Sequence, residues 1–443
     1  MTQKKSINIG FRGWMLVIYQ GIAFLAYTVF SNYPLNILAE FYGGAQKLST
    51  IYTVCTIIGV LLQLALNGVI GKLKNIKMFS AIFGFLVLAL GMCIMLIPFS
   101  NAGLWCVCYA VENIVGVMYA TFSIGILVGQ WFPTRKGTIM GIATFAFPIG
   151  NGLIGIFAAN VFRKGYPDVF GAFLPFFVIC VIGWLIGVIF LKDYPEQCGC
   201  YRDNDKNMTP EIARKMMEAE IENKKNTVWK LGHTLGCRDF WFITIPMGFL
   251  LMFSVGMMTQ TASIISNFED ELAFLGGYQG IMLMICIVGC IGSYVIGVLD
   301  TKFGTKKAII ISVFIMILAG ILGAVPNASA LVSSLVCLAI FMGASSNFTV
   351  SAAAQYWRRE DFGSVFAVVN PIANIFNAAG PMVIARLLYS PAGYQAIFVV
   401  TAVMGAVSLV LMFLFRASHV KEVDDRYRKA AGKPMDNALV GRK

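Results

Sequence analysis

The sequence predicts an all-α membrane protein with twelve transmembrane helices in two six-helix pseudo-symmetric bundles. Three observations carry that expectation. The 443-residue chain is 58% hydrophobic and 13% charged, with a mean hydropathy of +0.76. A soluble domain carries about a quarter charged residues, so lipid rather than a larger core must receive the apolar surface. The chain also divides into twelve apolar runs, each near the roughly 20 residues that a spanning helix needs. Finally, short motifs of the first six runs recur in order in the second six.

In chain order the runs cover 13–38, 48–71, 78–98, 103–131, 138–162, 169–192, 240–266, 276–299, 308–326, 329–357, 364–389 and 391–416. Lys4, Lys5 and Arg12 precede the first. It is longer than a signal-peptide core and no small-residue cleavage site closes it, so it reads as an uncleaved span. Lys72, Lys74, Lys77, Arg135, Lys136, Lys302, Lys306, Lys307, Arg358 and Arg359 gather on one side with the tail. The other side shows Glu40, Lys47, Arg163, Lys164 and Glu269-Asp270-Glu271. Positive charge collects in cytoplasmic loops, which predicts cytoplasmic termini and a plasma-membrane protein.

The net charge of +12 follows this loop placement, and no aromatic-interleaved basic groove suggests nucleic acid. The polar stretch from Asp193 to Asp239 separates bundles 1–192 and 240–416, leaving a central loop at 193–239 and a basic tail at 417–443. Thr209-Pro210-Glu211 is a helix start, with Thr as cap and Pro at the first position, opening a short amphipathic helix. The eleven cysteines are scattered, most of them inside apolar runs as small hydrophobes. Cys198-x-Cys200 with His233 and Cys237 lacks the usual zinc spacing, and no metal or cofactor is expected.

Gln130-Trp-Phe-Pro-Thr-Arg-Lys-Gly137 is matched by Gln355-Tyr-Trp-Arg-Arg-Glu-Asp-Phe-Gly363, and Pro148-Ile-Gly-Asn151 by Pro371-Ile-Ala-Asn374. Arg163 and Arg386 follow those prolines at equal distance. Parallel repeats of this kind build one large transporter class. Asn, Gln and carboxylates are absent from the bodies of the third, sixth, ninth and twelfth runs. Polar groups are costly in a bilayer, so those four read as lipid-facing supports around a polar cavity, which small-molecule substrate would traverse.

The candidate substrate contacts are Gln20 and Tyr27 in the first run, Asn113 and Tyr119 in the fourth, and Asn151 in the fifth. Gln260 in the seventh, Asn347 in the tenth, and Asn370, Asn374 and Asn377 in the eleventh complete the set. The last three are spaced i, i+4, i+7, which places them on one helical face. They bind substrate or join helices, and both readings are open. Glu112 is the carboxylate well inside a run. It is either a proton-coupling site, since burial favours the protonated form, or a hydrogen-bonded structural group. Trp14, Trp105, Trp131 and Trp241, near run ends, are expected as interface anchors. Pro148 and Pro371 are expected to bend their helices.

Gly297-x-Leu-Asp300-x-x-x-Gly304-x-Lys306-Lys307 resembles the cytoplasmic loop signature of the major facilitator superfamily. The resemblance implies a gate formed by Gly297, Asp300, Gly304, Lys306 and Lys307 together with Arg135 and Lys136. Asp300 would sit near the N-terminal end of the eleventh span. The upstream copy, from Gly68 to Lys77, has Gly71 in the aspartate's place. Phe11-Arg-Gly-Trp14 and Trp131-Phe-Pro-Thr-Arg135-Lys136 resemble the oxalate/formate antiporter and monocarboxylate porter families. Those exchangers hold a dicarboxylate between basic residues of the eighth and eleventh spans. Here the run 276–299 contains no Arg or Lys, and the eleventh has only Arg386, near its outer end.

The expectation is therefore a monomeric secondary transporter that moves a small monocarboxylate-like anion, as an exchanger or proton symporter. The alternative is an exporter of a neutral or amphipathic compound. A membrane enzyme is the remote alternative, since both histidines lie in polar segments and no H-E-x-x-H or G-x-S-x-G occurs.

Overall fold

Hydrocarbon offers no water to satisfy a backbone, so a spanning segment must close its hydrogen bonds internally. The computed structural model describes residues 9–70, 75–132, 136–150, 152–153, 168–205, 208–223, 226–358 and 360–435. Among them there are helices and turns and no strand. Eleven helices are long and apolar enough to cross a membrane: Gly10–Asn32, Ala45–Leu66, Ile76–Leu96, Phe99–Trp131, Val169–Phe190, Arg238–Leu275, Gly277–Phe303, Thr305–Gly323, Ala328–Ser345, Phe362–Leu388 and Gly393–Leu414. A shorter apolar helix, Ile139–Gly150, holds the fifth place. These are the first to twelfth spans below. Asn151, Asn160, Arg163 and Arg135 lie outside the described residues.

The four helices without internal amides or carboxylates occupy the periphery. The third, sixth, ninth and twelfth spans are 39%, 28%, 44% and 33% buried, against 72%, 79% and 72% for the first, fourth and seventh; the second and eighth, at 44%, are as exposed as the ninth. Their exposed Ile, Leu, Val and Phe side chains suit a lipid solvent.

Two seams join the halves. The second span lies along the eleventh: Thr53 Oγ1 donates to Ala378 O (2.6 Å) near one end, and Leu66 packs on Ala367 near the other. The fifth lies along the eighth. A Cβ on Gly141 would sit 3.5 Å from Gly297 Cα, and one on Gly152 would come within 2.5 Å of Cys286 Cβ.

Three interruptions shape the interior. Wide π turns replace α-helix at Thr28–Asn32 in the first span and Met118–Ser123 in the fourth. Such turns leave carbonyls in need of partners, and two glutamines supply them. Gln20 Nε2 donates to Ala120 O (3.2 Å) and Gln63 Nε2 to Val117 O (3.0 Å). The fifth helix breaks at Thr144-Phe145, one turn before Pro148, as a missing N–H requires. Pro371, by contrast, sits in an unbroken helix.

Trp105 is not an interface anchor. It is fully buried, donates to Ile94 O (3.1 Å), and stacks between Tyr42 (centroids 3.7 Å) and Tyr109 (5.1 Å). Trp131 is buried too, donating to Lys192 O (3.0 Å). Each indole finds a carbonyl inside the protein, which removes its reason to sit at the headgroups.

The central segment starts a helix at Pro210 as expected, with the Ile212 N–H reaching Thr209 Oγ1 (3.4 Å). The tail is not merely basic. It forms a helix, Ala417–Ala430, held by buried charges. Asp424 accepts from Trp229 Nε1 (2.9 Å), Arg358 Nε (2.6 Å) and Arg428 Nε (3.2 Å). Arg428 also pairs with Asp361 and Glu360. Burial pushes the Asp361 carboxyl up, against the Thr227 hydroxyl, the Arg428 charge and the Val228 N–H that favour its ionised form. At the other end of the helix His419 meets Asp239 at 2.5 Å.

Removing one member of a buried charge network leaves the others uncompensated, at a cost on the order of 3 kcal/mol. Arg428→Ala is therefore expected to free the tail helix, seen as new protease cleavage within 417–435 while the bundle stays intact. Unaltered cleavage would show that the network does not hold the tail.

Candidate functional site

Between the halves lies a central cavity with walls from the first, fourth, fifth, seventh, tenth and eleventh spans. Gln20, Phe24, Tyr27 and Asn32 form one wall; Met140 and Phe147 come from the fifth span, and Ser254 and Met258 from the seventh. Ser345, Ser346 and Thr349 come from the tenth, and Asn370, Asn374 and Asn377 from the eleventh. The room for water centres is ≈ 50 Å³, or about four waters at roughly 10–15 Å³ each.

The lining carries no charged side chain among the described residues. Its polar groups are amides and hydroxyls in a connected row. Asn377 Nδ2 donates to Asn374 Oδ1 (3.3 Å), Asn374 Nδ2 donates to Asn370 O (2.9 Å) and Oδ1 (3.1 Å), and Thr349 Oγ1 donates to Asn370 Oδ1 (3.3 Å). Three lining oxygens are buried with no partner: Gln20 Oε1, Asn32 Oδ1 and Asn377 Oδ1. The orientation of the Gln20 and Asn377 amides is set by their own N–H bonds, so the unpartnered atoms are acceptors. A buried acceptor left unmet costs about 1–3 kcal/mol. Groups of this kind are satisfied by hydrogen-bond donors.

Of the ten predicted contacts, Gln20, Tyr27, Asn370, Asn374 and Asn377 line the cavity. Asn151 lies outside the described residues, and four others point elsewhere. Tyr119 turns away with its π turn and packs edge-on to Tyr19 (6.0 Å), over Gly84 of the third span. Asn113 bonds back to Tyr109 O of its own helix (2.7 Å). Asn347 donates to Thr144 Oγ1 (3.2 Å), joining the tenth span to the fifth. Gln260 is buried outside the lining. The lining Ser, Thr, Met and Phe residues, and Asn32, fell outside the predicted set. Ser254 back-bonds to Leu250 O (2.7 Å) like any helical serine, so nothing in the sequence marks it.

Glu112 lies just behind this wall. Its Oε2 accepts from Ser31 Oγ (2.7 Å) and its Oε1 has no hydrogen-bond partner. Tyr109 OH donates to Ser31 O (2.6 Å), and Tyr27, which faces the cavity, shares a 2.8 Å bond with Tyr52 OH. A Cβ on Gly116 would sit 3.1 Å from both Glu112 Oε1 and the Tyr27 ring. One aromatic ring thus separates the carboxyl from the cavity.

The loop residues predicted as a gate divide into two sets. Gly297 meets Gly141 of the fifth span, and Asp300, buried in the last turns of the eighth, accepts from Thr305 Oγ1 (2.6 Å). Asp300 thus lies one turn beyond Gly297, the residue that meets the fifth span. The fifth and eighth helices run with their ends on this face together, whereas the eleventh pairs with the second. The other set knits one half to itself. Gly304 turns the chain at φ +89°, where a Cβ would lie 2.6 Å from Gln355 Nε2. The Thr305 and Lys306 N–H groups donate to Gln355 Oε1 (2.7 Å) and Tyr356 OH (2.9 Å). Lys306 Nζ caps Phe415 O at the end of the twelfth span (2.7 Å), and Lys307 is exposed. Lys136 is described only as backbone at the start of its helix, and Gly71 lies outside the described residues.

The model of the Major Facilitator Superfamily matches residues 15–324 and 244–441. The chain belongs to the major facilitator superfamily. Its fold is similar to that of a solved proton:xylose symporter, XylE, bound to 6-bromo-6-deoxy-D-glucose. The TM-score is 0.65 at 15% identity, covering 94% of this chain and 97% of that one. No curated protein matches the sequence. The protein is a multi-pass membrane transporter of the secondary, alternating-access type.

Bulk introduced where the fifth and eighth spans touch must separate them. Gly297→Leu is expected to open the cavity to the face bearing Gly297. A cysteine placed at Ser345 should then react several-fold faster with a membrane-impermeant maleimide added from that face. Equal rates in both backgrounds would show that the seam is not the closure.

Proposed function

We propose that this protein carries a small, hydrogen-bond-donating solute that is uncharged when bound. The observation that supports this most is the lining: amides and hydroxyls, unpartnered acceptors on Gln20 and Asn377, and no charged side chain among the described residues. A carboxylate offers only acceptors and would meet two more, with no cation to offset its desolvation. The sequence-based expectation of an organic anion thus gives way to the neutral-solute alternative. A hydroxylated compound of a few heavy atoms suits both the chemistry and the room, and the structural likeness to a sugar symporter agrees with that class. A monocarboxylate fits if it travels in its protonated form.

Glu112 behind Tyr27 favours coupling to protons. The carboxyl is fully buried, with a hydroxyl on one oxygen and nothing on the other, and can exchange a proton as the Tyr27 wall moves. The basic face is cytoplasmic in this reading, the membrane is the plasma membrane, and the path lies within one chain, so a monomer suffices.

Proteoliposome uptake of labelled polyols, short sugars, monocarboxylates and dicarboxylates, with and without a pH gradient, tests the proposal. Uptake is expected for a neutral or protonated donor and not for a dicarboxylate; dicarboxylate exchange at neutral pH would overturn it. Asn377→Leu removes one acceptor and the end of the amide row, and should raise KM about tenfold, as loss of roughly 1.4 kcal/mol implies, with expression unchanged. Glu112→Gln should abolish stimulation by a pH gradient and spare counterflow. Gradient-driven uptake at the wild-type level would remove the proton role.

A further inference from the structure

On the face where the first described residues lie, a second cleft opens between the start of the third span and the end of the sixth. It has ≈ 530 Å³ of room and is lined by Asn75, Lys77, Met78, Lys192, Asp193 and Gln197. It is far from the central cavity, and the transport mechanism makes no use of it.

The charges of the cleft are unevenly engaged. Asp193 is buried and accepts the Lys77 backbone N–H (2.7 Å) in the first turn of the third span, where the helix terminus favours a carboxylate. Its burial works against the ionised form, which that N–H and the charges of Lys77 and Lys192 favour. Lys77 Nζ spends one of its three N–H groups on Val188 O (2.6 Å). The backbone of Lys192 is fixed by Trp131 Nε1 on its carbonyl (3.0 Å), while its side chain is exposed. Two lysines and one buried carboxylate thus line one opening, which leaves it a net positive charge for an anion to offset.

Away from the cleft, toward the membrane interior, the same two helices present exposed apolar ridges. Met78, Ile82 and Phe85 are 60%, 48% and 56% exposed on the third span, and Leu185 and Ile189 are 42% and 66% exposed on the sixth. A cationic cleft at a membrane face, continuous with an apolar furrow, matches a ligand with an anionic head and two hydrocarbon tails. A soluble phosphate would use the lysines but have no use for the ridges.

We propose that this cleft is a binding site for an anionic phospholipid, its phosphate between Lys77 and Lys192 and its acyl chains along the third and sixth spans. The site would bind the leaflet on the basic face to the peripheral helices of the first half.

Native mass spectrometry of the full-length protein, titrated with phosphatidylglycerol or with phosphatidylcholine of the same chains, tests this. One phosphatidylglycerol should be retained in preference to phosphatidylcholine, and K77Q and K192Q should each weaken that binding roughly fivefold, as about 1 kcal/mol per lysine implies. K192R should keep it, as should the tail variant K421Q. Lys192 is exposed, so K192Q alone tests the site if K77Q fails to fold. Equal retention of both lipids, or wild-type phosphatidylglycerol binding by K192Q, would overturn the proposal. So would displacement by glycerol 3-phosphate, which would assign the cleft to a soluble phosphate.

Discussion

Every feature of this protein answers to one constraint, the absence of water from the hydrocarbon it crosses. A backbone carbonyl released there must find a donor within the protein. The two π turns release such carbonyls, and the side chains that answer them, Gln20 and Gln63 for the fourth span and Tyr109 for the first, come from other helices. Gln20 then has its N–H group committed and its carbonyl oxygen left over in the cavity. The local defect in the fourth span therefore orients an acceptor toward the transport path.

The same constraint explains how far the sequence could be read. Twelve apolar runs and their six-and-six division were legible because charge is confined to the turns, and the dry third, sixth, ninth and twelfth helices lie where their composition implies. The Asn370, Asn374 and Asn377 row was legible as well, since a spacing of i, i+4, i+7 selects one face without tertiary information. Rotation about a helix axis was not legible. Tyr119 lies inside a π turn, which shifts the face of everything near it, and Asn113, Gln260 and Asn347 are single amides with no second amide three or four residues away to mark a face. Asn347 found a hydroxyl across the seam at Thr144, a partner that only packing reveals.

Charge outside the bilayer was misjudged for a related reason. The tail reads as a basic solvated segment because Lys and Arg are numerous there. Its carboxylates at Asp424 and Asp425 instead meet Arg358, while Arg428 reaches back to Glu360 and Asp361. These pairs join residues more than sixty positions apart. No local pattern announces them, yet they bring the central loop, the loop before the eleventh span and the tail into one body.

The amide row has a consequence for how cargo is handled. Asn370, Asn374 and Asn377 all belong to one continuous helix of the second half, whereas Gln20, Tyr27 and Asn32 belong to the first. When the halves rock apart, the row keeps its internal bonds and its geometry, and the opposite wall withdraws. A solute would then ride with the second half, like a passenger seated on one side of a revolving door. The first half, with Glu112 set behind Tyr27, would register whether the seat is taken.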